Sequence, residues 1–197
     1  MSSRARIELA LTVAKGHLAL WKNGVYHRDI SASNLMYKDR AGGCVGVLND
    51  FDLATVAPDS MGNECTGTLP FMALELLSKK GQEGEIKHLY AHDAESFVWV
   101  LTWVCLRYEA GVLRKSRPLD AWLNVDALGC RVEKASFLLL HDAYPDEDLT
   151  PGKGHEENWL VAKKGLAILR LCKTHFDETC DGPFQKLLEP LGGKGNE

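Results

Sequence analysis

A histidine and an arginine precede an aspartate at His27-Arg28-Asp29, and Asn34 follows that aspartate by five positions. Further on stands Asp50-Phe51-Asp52. Transfer of a phosphoryl group asks a protein for little covalent chemistry. It needs a carboxylate near the attacking hydroxyl, and oxygen ligands that hold Mg²⁺ against the phosphates. Asp29 is the candidate for the first role, to accept or orient the proton of the hydroxyl. Asn34 and Asp50 are the candidates for the second.

These residues need elements to position them. Ile7, Leu11, Ala14, Leu18 and Trp21 step by four and three, which predicts one apolar helix face. Ser2 or Ser3 can cap its start, and Gly24 suits a left-handed stop. Leu35-Met36-Tyr37 and Val45-Gly46-Val47-Leu48 read as two short strands joined by a turn at 39–43. Such a pair holds Asn34 and Asp50 at its same end. Residues 55–70 carry Pro58, Gly62, Gly67 and Pro70 and read as a loop. The run 93–106 is apolar on nearly every face, as in a buried helix around which a domain packs. Residues 111–118 read as a basic linker, and helical patterns follow near 119–128, 131–142 and 157–173. Residues 144–155 read as a surface loop. One domain over 1–190 and a disordered tail over 191–197 are expected.

Composition narrows the function classes. The net charge of −4 argues against a nucleic-acid surface. Six cysteines are scattered without a C-x-x-C pair, which predicts a reduced, intracellular chain, cytoplasmic or nuclear. The longest apolar run, 97–106, is too short to cross a bilayer, and no continuous apolar segment follows the N-terminus as in a secretory signal. Cys172, His175 and Cys180 are too few and too irregularly spaced for a tetrahedral zinc site.

His27 to Asn34 resembles the catalytic loop of protein kinases, H-R-D-x-x-x-x-N, and Asp50-Phe51-Asp52 stands where those enzymes carry D-F-G. Residues 66–75, ending Ala73-Leu74-Glu75, are similar to the end of an activation segment, where Ala-Pro-Glu is usual. Asp93-Ala94-Glu95-Ser96-Phe97-Val98-Trp99 is similar to the D-x-W-S-x-G stretch that opens the long buried kinase helix. The wording His-Arg-Asp-Ile-Ser, the Asp-Phe-Asp, Trp122 and the run 134–138 resemble the fungal-type protein kinase family.

The resemblance implies a mainly α fold: the large C-terminal lobe of a kinase, with a short β-hairpin around the catalytic loop and the N-terminal lobe absent. It implies ATP and Mg²⁺ as cofactors and a protein substrate, with serine or threonine as acceptor, and neither nucleic acid nor membrane as partner. It places Ser31 and Ser33 on the substrate side of the loop. His27 is expected to pack against backbone. Arg28 either pairs with a phosphorylated activation loop, whose hydroxyls are Thr55, Ser60, Thr66 and Thr68, or is a surface cation. Thr68 either touches Asp29 or serves turn chemistry. Asp93 is expected to accept backbone N–H groups of the catalytic loop, and Glu75 to pair with Arg131 or Arg170.

Three positions depart from the common pattern. Ser31 stands where serine/threonine kinases place a lysine facing the γ-phosphate. Asp52 replaces a glycine and Leu74 a proline. No G-x-G-x-x-G occurs, and Val13-Ala14-Lys15 mimics the phosphate-binding lysine motif inside a helical pattern. These features admit a second reading, a kinase lobe that docks partners without catalysis. A small-molecule phosphotransferase of the aminoglycoside or choline type would prefer His-Gly-Asp and lack Ala-x-Glu.

Overall fold

The computed structural model describes residues 3–40, 43–56, 66–143 and 149–172. Among them are five α-helices and three two-stranded antiparallel sheets. Helix α1 runs Ser3–Lys22 and ends where Gly24 takes a left-handed backbone, φ 78°. Strand β1, Val25–Tyr26, leads into the 27–34 loop. Strands β2, Leu35–Arg40, and β3, Gly43–Leu48, form a hairpin longer than the apolar pattern suggests, because Lys38–Arg40 continue the pairing without an apolar face. Leu35 pairs with Leu48, and the Asn49 N–H donates to the Asn34 carbonyl at 2.9 Å. That extra rung sets Asn34 beside the start of the Asp50-Phe51-Asp52 stretch. Strand β4, Thr55–Val56, pairs back on β1, so part of the expected 55–70 loop is extended sheet.

Helix α2, Lys79–Gln82, is capped by the Ser78 hydroxyl, which accepts from the Gly81 N–H. Helix α3, Tyr90–Arg107, is the axis of the fold, and its side chains are buried on nearly every face. Strands β5, Tyr108–Glu109, and β6, Val112–Leu113, make a small hairpin where a linker was expected. A 3₁₀ turn at Asp120–Leu123 is followed by α4, Ala127–Ala143, and α5, Glu156–Cys172. The Trp99 ring of α3 meets the Trp122 ring edge-on at 5.4 Å, and Phe137 of α4 meets Trp122 at 5.7 Å. The 149–155 segment is partly packed rather than superficial. The Gly152 N–H donates to the Cys105 carbonyl, and a Cβ at Gly152 would lie 2.0 Å from the Tyr108 oxygen.

No helix among the described residues is long and apolar enough to cross a membrane. The expected tail 191–197, His175, Cys180 and the whole 57–65 stretch of the activation segment, with Ser60, lie outside the described residues.

Candidate active site

The 27–34 loop holds its own shape through residues near in sequence. Arg28 takes a left-handed backbone, φ 68°, which reverses the chain between His27 and Asp29. The fully buried His27 ring is bonded at both nitrogens. Its Nδ1 accepts from the Asp29 N–H at 3.3 Å, so Nε2 carries the proton and donates to the Asn49 carbonyl at 2.9 Å. Phe51 packs edge-on against the same ring at 4.7 Å, which ties the second motif to the first.

The Asp29 carboxylate is held on both oxygens. Its Oδ1 accepts two hydrogen bonds from Thr68, from the N–H and from the hydroxyl, each 2.9 Å. Its Oδ2 accepts from the Asn34 amide nitrogen at 3.2 Å, and the same nitrogen donates to the Asp29 carbonyl at 3.0 Å. A carboxylate oxygen has room for two donors, so Oδ1 is filled and Oδ2 keeps a lone pair for an incoming hydroxyl. Thr68 reaches Asp29 because Gly67 takes φ 137°. A Cβ there would stand 3.3 Å from the Arg28 carbonyl and 3.7 Å from Asp29 Oδ1.

Asp50 is exposed and carries the positive φ of its stretch, 62°. The left-handed backbone therefore falls on Asp50 and not on Asp52, so the loss of a glycine at Asp52 costs no strain. The Asn34 nitrogen is committed to Asp29, and its oxygen, reached by the Ser33 hydroxyl at 3.5 Å, keeps a lone pair for a ligand. An amide oxygen and an exposed carboxylate are the hard donors Mg²⁺ takes, and these residues fit that ion. Ser31 is fully buried with its hydroxyl 2.8 Å from that of exposed Ser33. Lys15, the mimic of the phosphate lysine, sits exposed on α1.

A buried polar layer supports this loop from below. Asp93, at the start of α3, accepts from His17 Nε2 at 2.8 Å on Oδ2 and from His88 Nε2 at 2.7 Å on Oδ1. Oδ2 also lies 3.4 Å from the Arg28 N–H. Burial pushes Asp93 up, but the imidazoles of His88 and His17 outweigh it and hold the carboxyl well below the usual range. The expected arginine partner of Glu75 is corrected. Glu75 accepts from His92 Nε2 at 2.9 Å, and that bond holds its carboxyl below the usual value. Arg131 donates instead to the Leu74 carbonyl at 3.1 Å. Histidines 17, 88 and 92 were missed in the sequence. The available signal was His88 and His92 four apart at the entry to the buried helix.

Leu74 gains meaning from this layer. Its N–H donates to Glu95 Oε1 at 2.8 Å, and Glu95 is fully buried. A proline at Leu74 could not make that bond.

A loop-borne carboxylate, an oxygen-rich neighbour and a buried helix bonded to the loop are the parts of a protein kinase. The chain belongs to the fungal protein kinase family, whose family model matches residues 2–105. Two curated relatives agree. Dual specificity testis-specific protein kinase 1 of Rattus norvegicus is 38% identical over 58 residues, 29% of this chain and 9% of that protein. Dual specificity testis-specific protein kinase 2 of Homo sapiens is 38% identical over 76 residues, 36% of this chain and 13% of that protein. The matched stretches thus span about a tenth of those relatives.

Proposed function

We propose that this chain is the large lobe of an ATP-dependent protein kinase that phosphorylates serine or threonine hydroxyls. The observation that carries the reading is the Asp29 carboxylate, fixed by Asn34 and by both donors of Thr68, with one lone pair of Oδ2 left for a hydroxyl. In this reading Oδ2 orients the acceptor hydroxyl and takes its proton as the phosphoryl group is transferred. Asn34 and Asp50 would hold Mg²⁺, which when bound neutralises charge on the phosphates. Ser31 leaves the site without the usual lysine, so positive charge on the γ-phosphate must come from elsewhere.

The test is phosphoryl transfer from labelled ATP to a generic protein acceptor, or to the chain itself. Asp29→Asn is expected to lower the rate about a hundredfold or more, the scale of a lost general base. Transfer that survives the substitution unchanged removes Asp29 from the reaction. A second reading is a lobe that binds partners without catalysis, and Ser31 in place of the usual lysine admits it. A polypeptide limited to these residues has no Gly-rich cover for the phosphates. It is expected to show no thermal shift with micromolar Mg·ATP. A saturable rise in that range would count for catalysis by these residues alone, since ligand at a hundred times its Kd adds about 2.7 kcal/mol.

A further inference from the structure

Lys134 of α4 is fully buried, and lysines are rarely taken out of water unless something receives the charge. Four groups receive it. Its Nζ donates to the Met72 carbonyl. The same nitrogen lies 4.4 Å from the centre of the Trp99 ring and 5.7 Å from that of Trp122. Glu95 of α3 supplies opposite charge, and its Oε2 is buried without a hydrogen-bond partner. Burial pushes Lys134 down to about 8, while Glu95 and Cys130 pull the other way.

The Met72 carbonyl belongs to a closed turn. The Met72 N–H donates to the carbonyls of Thr68 and Leu69 at 3.1 and 3.3 Å, and the Phe71 N–H donates to the Thr68 carbonyl at 2.8 Å. Thr68 heads that turn and spends both its donors on Asp29 Oδ1. Two residues beyond Met72, Leu74 is held from α3 by Glu95 and from α4 by Arg131. A continuous path therefore runs from Lys134 to the Asp29 carboxylate, and it starts outside the residues 2–105 that the family model matches.

We propose that Lys134 is a positioning residue for phosphoryl transfer: it clamps the Met72 carbonyl, which fixes the 68–72 turn and, through Thr68, the orientation of Asp29. The proposal rests on the reading of Asp29 given above. Removing the ammonium also leaves buried Glu95 without its opposite charge and costs stability whatever the role of Lys134, so the clamp is judged by where protection is lost and not by stability alone.

The test compares parent, Lys134→Met and Lys134→Arg by amide hydrogen exchange and by kinetics. In Lys134→Met the Thr68 and Met72 amides are expected to exchange about tenfold to a hundredfold faster, the scale of a lost bond to a charged group, relative to the amides of Trp99 and Trp103. Lys134→Arg, which can donate to the same carbonyl, is expected to restore much of that protection. In the transfer assay Lys134→Met should lower kcat by about tenfold to a hundredfold with KM for ATP unchanged. The same substitution in a Thr68→Ala background should add little. Unchanged exchange at Thr68, or equal loss across α3, overturns the clamp. Should Lys134→Met fail to fold, native-state exchange of the parent decides. Thr68, Met72 and the amides of α4 around Lys134 opening as one unit supports the clamp, and Thr68 opening independently of α4 overturns it. Absence of transfer in a parent that binds Mg·ATP would sink the reading of Asp29, while the exchange measurement still judges the clamp.

Discussion

Asp29 and Asn34 touch across only five residues, so their spacing alone suggests the contact. The Thr68 bonds cross 39 residues, and the sequence left Thr68 between two roles. The bond from His17 to Asp93 crosses 76 residues, and nothing local in α1 distinguishes a buried histidine from an exposed one. That layer sets the acid response. The Asp93 carboxyl lies below its ordinary value of 3.8 in the folded protein, so the unfolded chain binds a proton first as pH falls. Its stabilisation is complete above that ordinary value and is lost as pH drops below it. Glu75, held low by His92, acts in the same direction and counts for less because it is partly exposed. Denaturant unfolding measured from pH 7 down to pH 3 should show stability falling at the acid end. Asp93→Asn should flatten that fall and cost about 1.5–3 kcal/mol at pH 7, the scale of a hydrogen bond to a charged group. An unchanged pH profile in the variant would contradict this assignment.

At the scale of elements, the long patterns were legible and the short ones were not. The 93–106 run showed an all-round apolar helix, and α3 is that helix, three residues longer at its start. Strands of two residues, such as β1, β4, β5 and β6, carry no alternation to read, because their pairing comes from the tertiary path of the chain. The activation-segment end departs from the common motif for a local reason that only the fold reveals. Leu74→Pro would restore the familiar Ala-Pro-Glu, yet it deletes the N–H that Glu95 accepts. It is expected to destabilise by about 1–3 kcal/mol, the range for a buried polar group left unpaired, as read by thermal or denaturant unfolding. Gly67→Ala belongs to the same segment. It forces a side chain into a left-handed backbone against the Arg28 carbonyl, and about 1 kcal/mol or more should be lost. The Thr68 amide should lose protection first. A Gly67→Ala protein as stable as its parent would mean that the turn has other ways to reach Asp29.

At the scale of the whole molecule, α5 presses so closely on α3 that a Cβ on Gly165 would fall 2.8 Å from a Val98 methyl. The family match stops at residue 105, near the end of α3 and before α5 begins. An alignment boundary is therefore no place to cut. Trp122, Leu138, Trp159, Leu166 and Leu169 all lie beyond it and are all buried. At about 1.5–3 kcal/mol for each such side chain, their burial is comparable with the 5–15 kcal/mol that keeps a domain folded. A polypeptide ending at residue 105 should unfold without a cooperative transition and aggregate through α3, while the 197-residue chain melts cooperatively. A sharp, reversible melt of the shorter piece would refute this. Anyone expressing the matched region for assay would otherwise mistake a misfolded protein for an inactive enzyme.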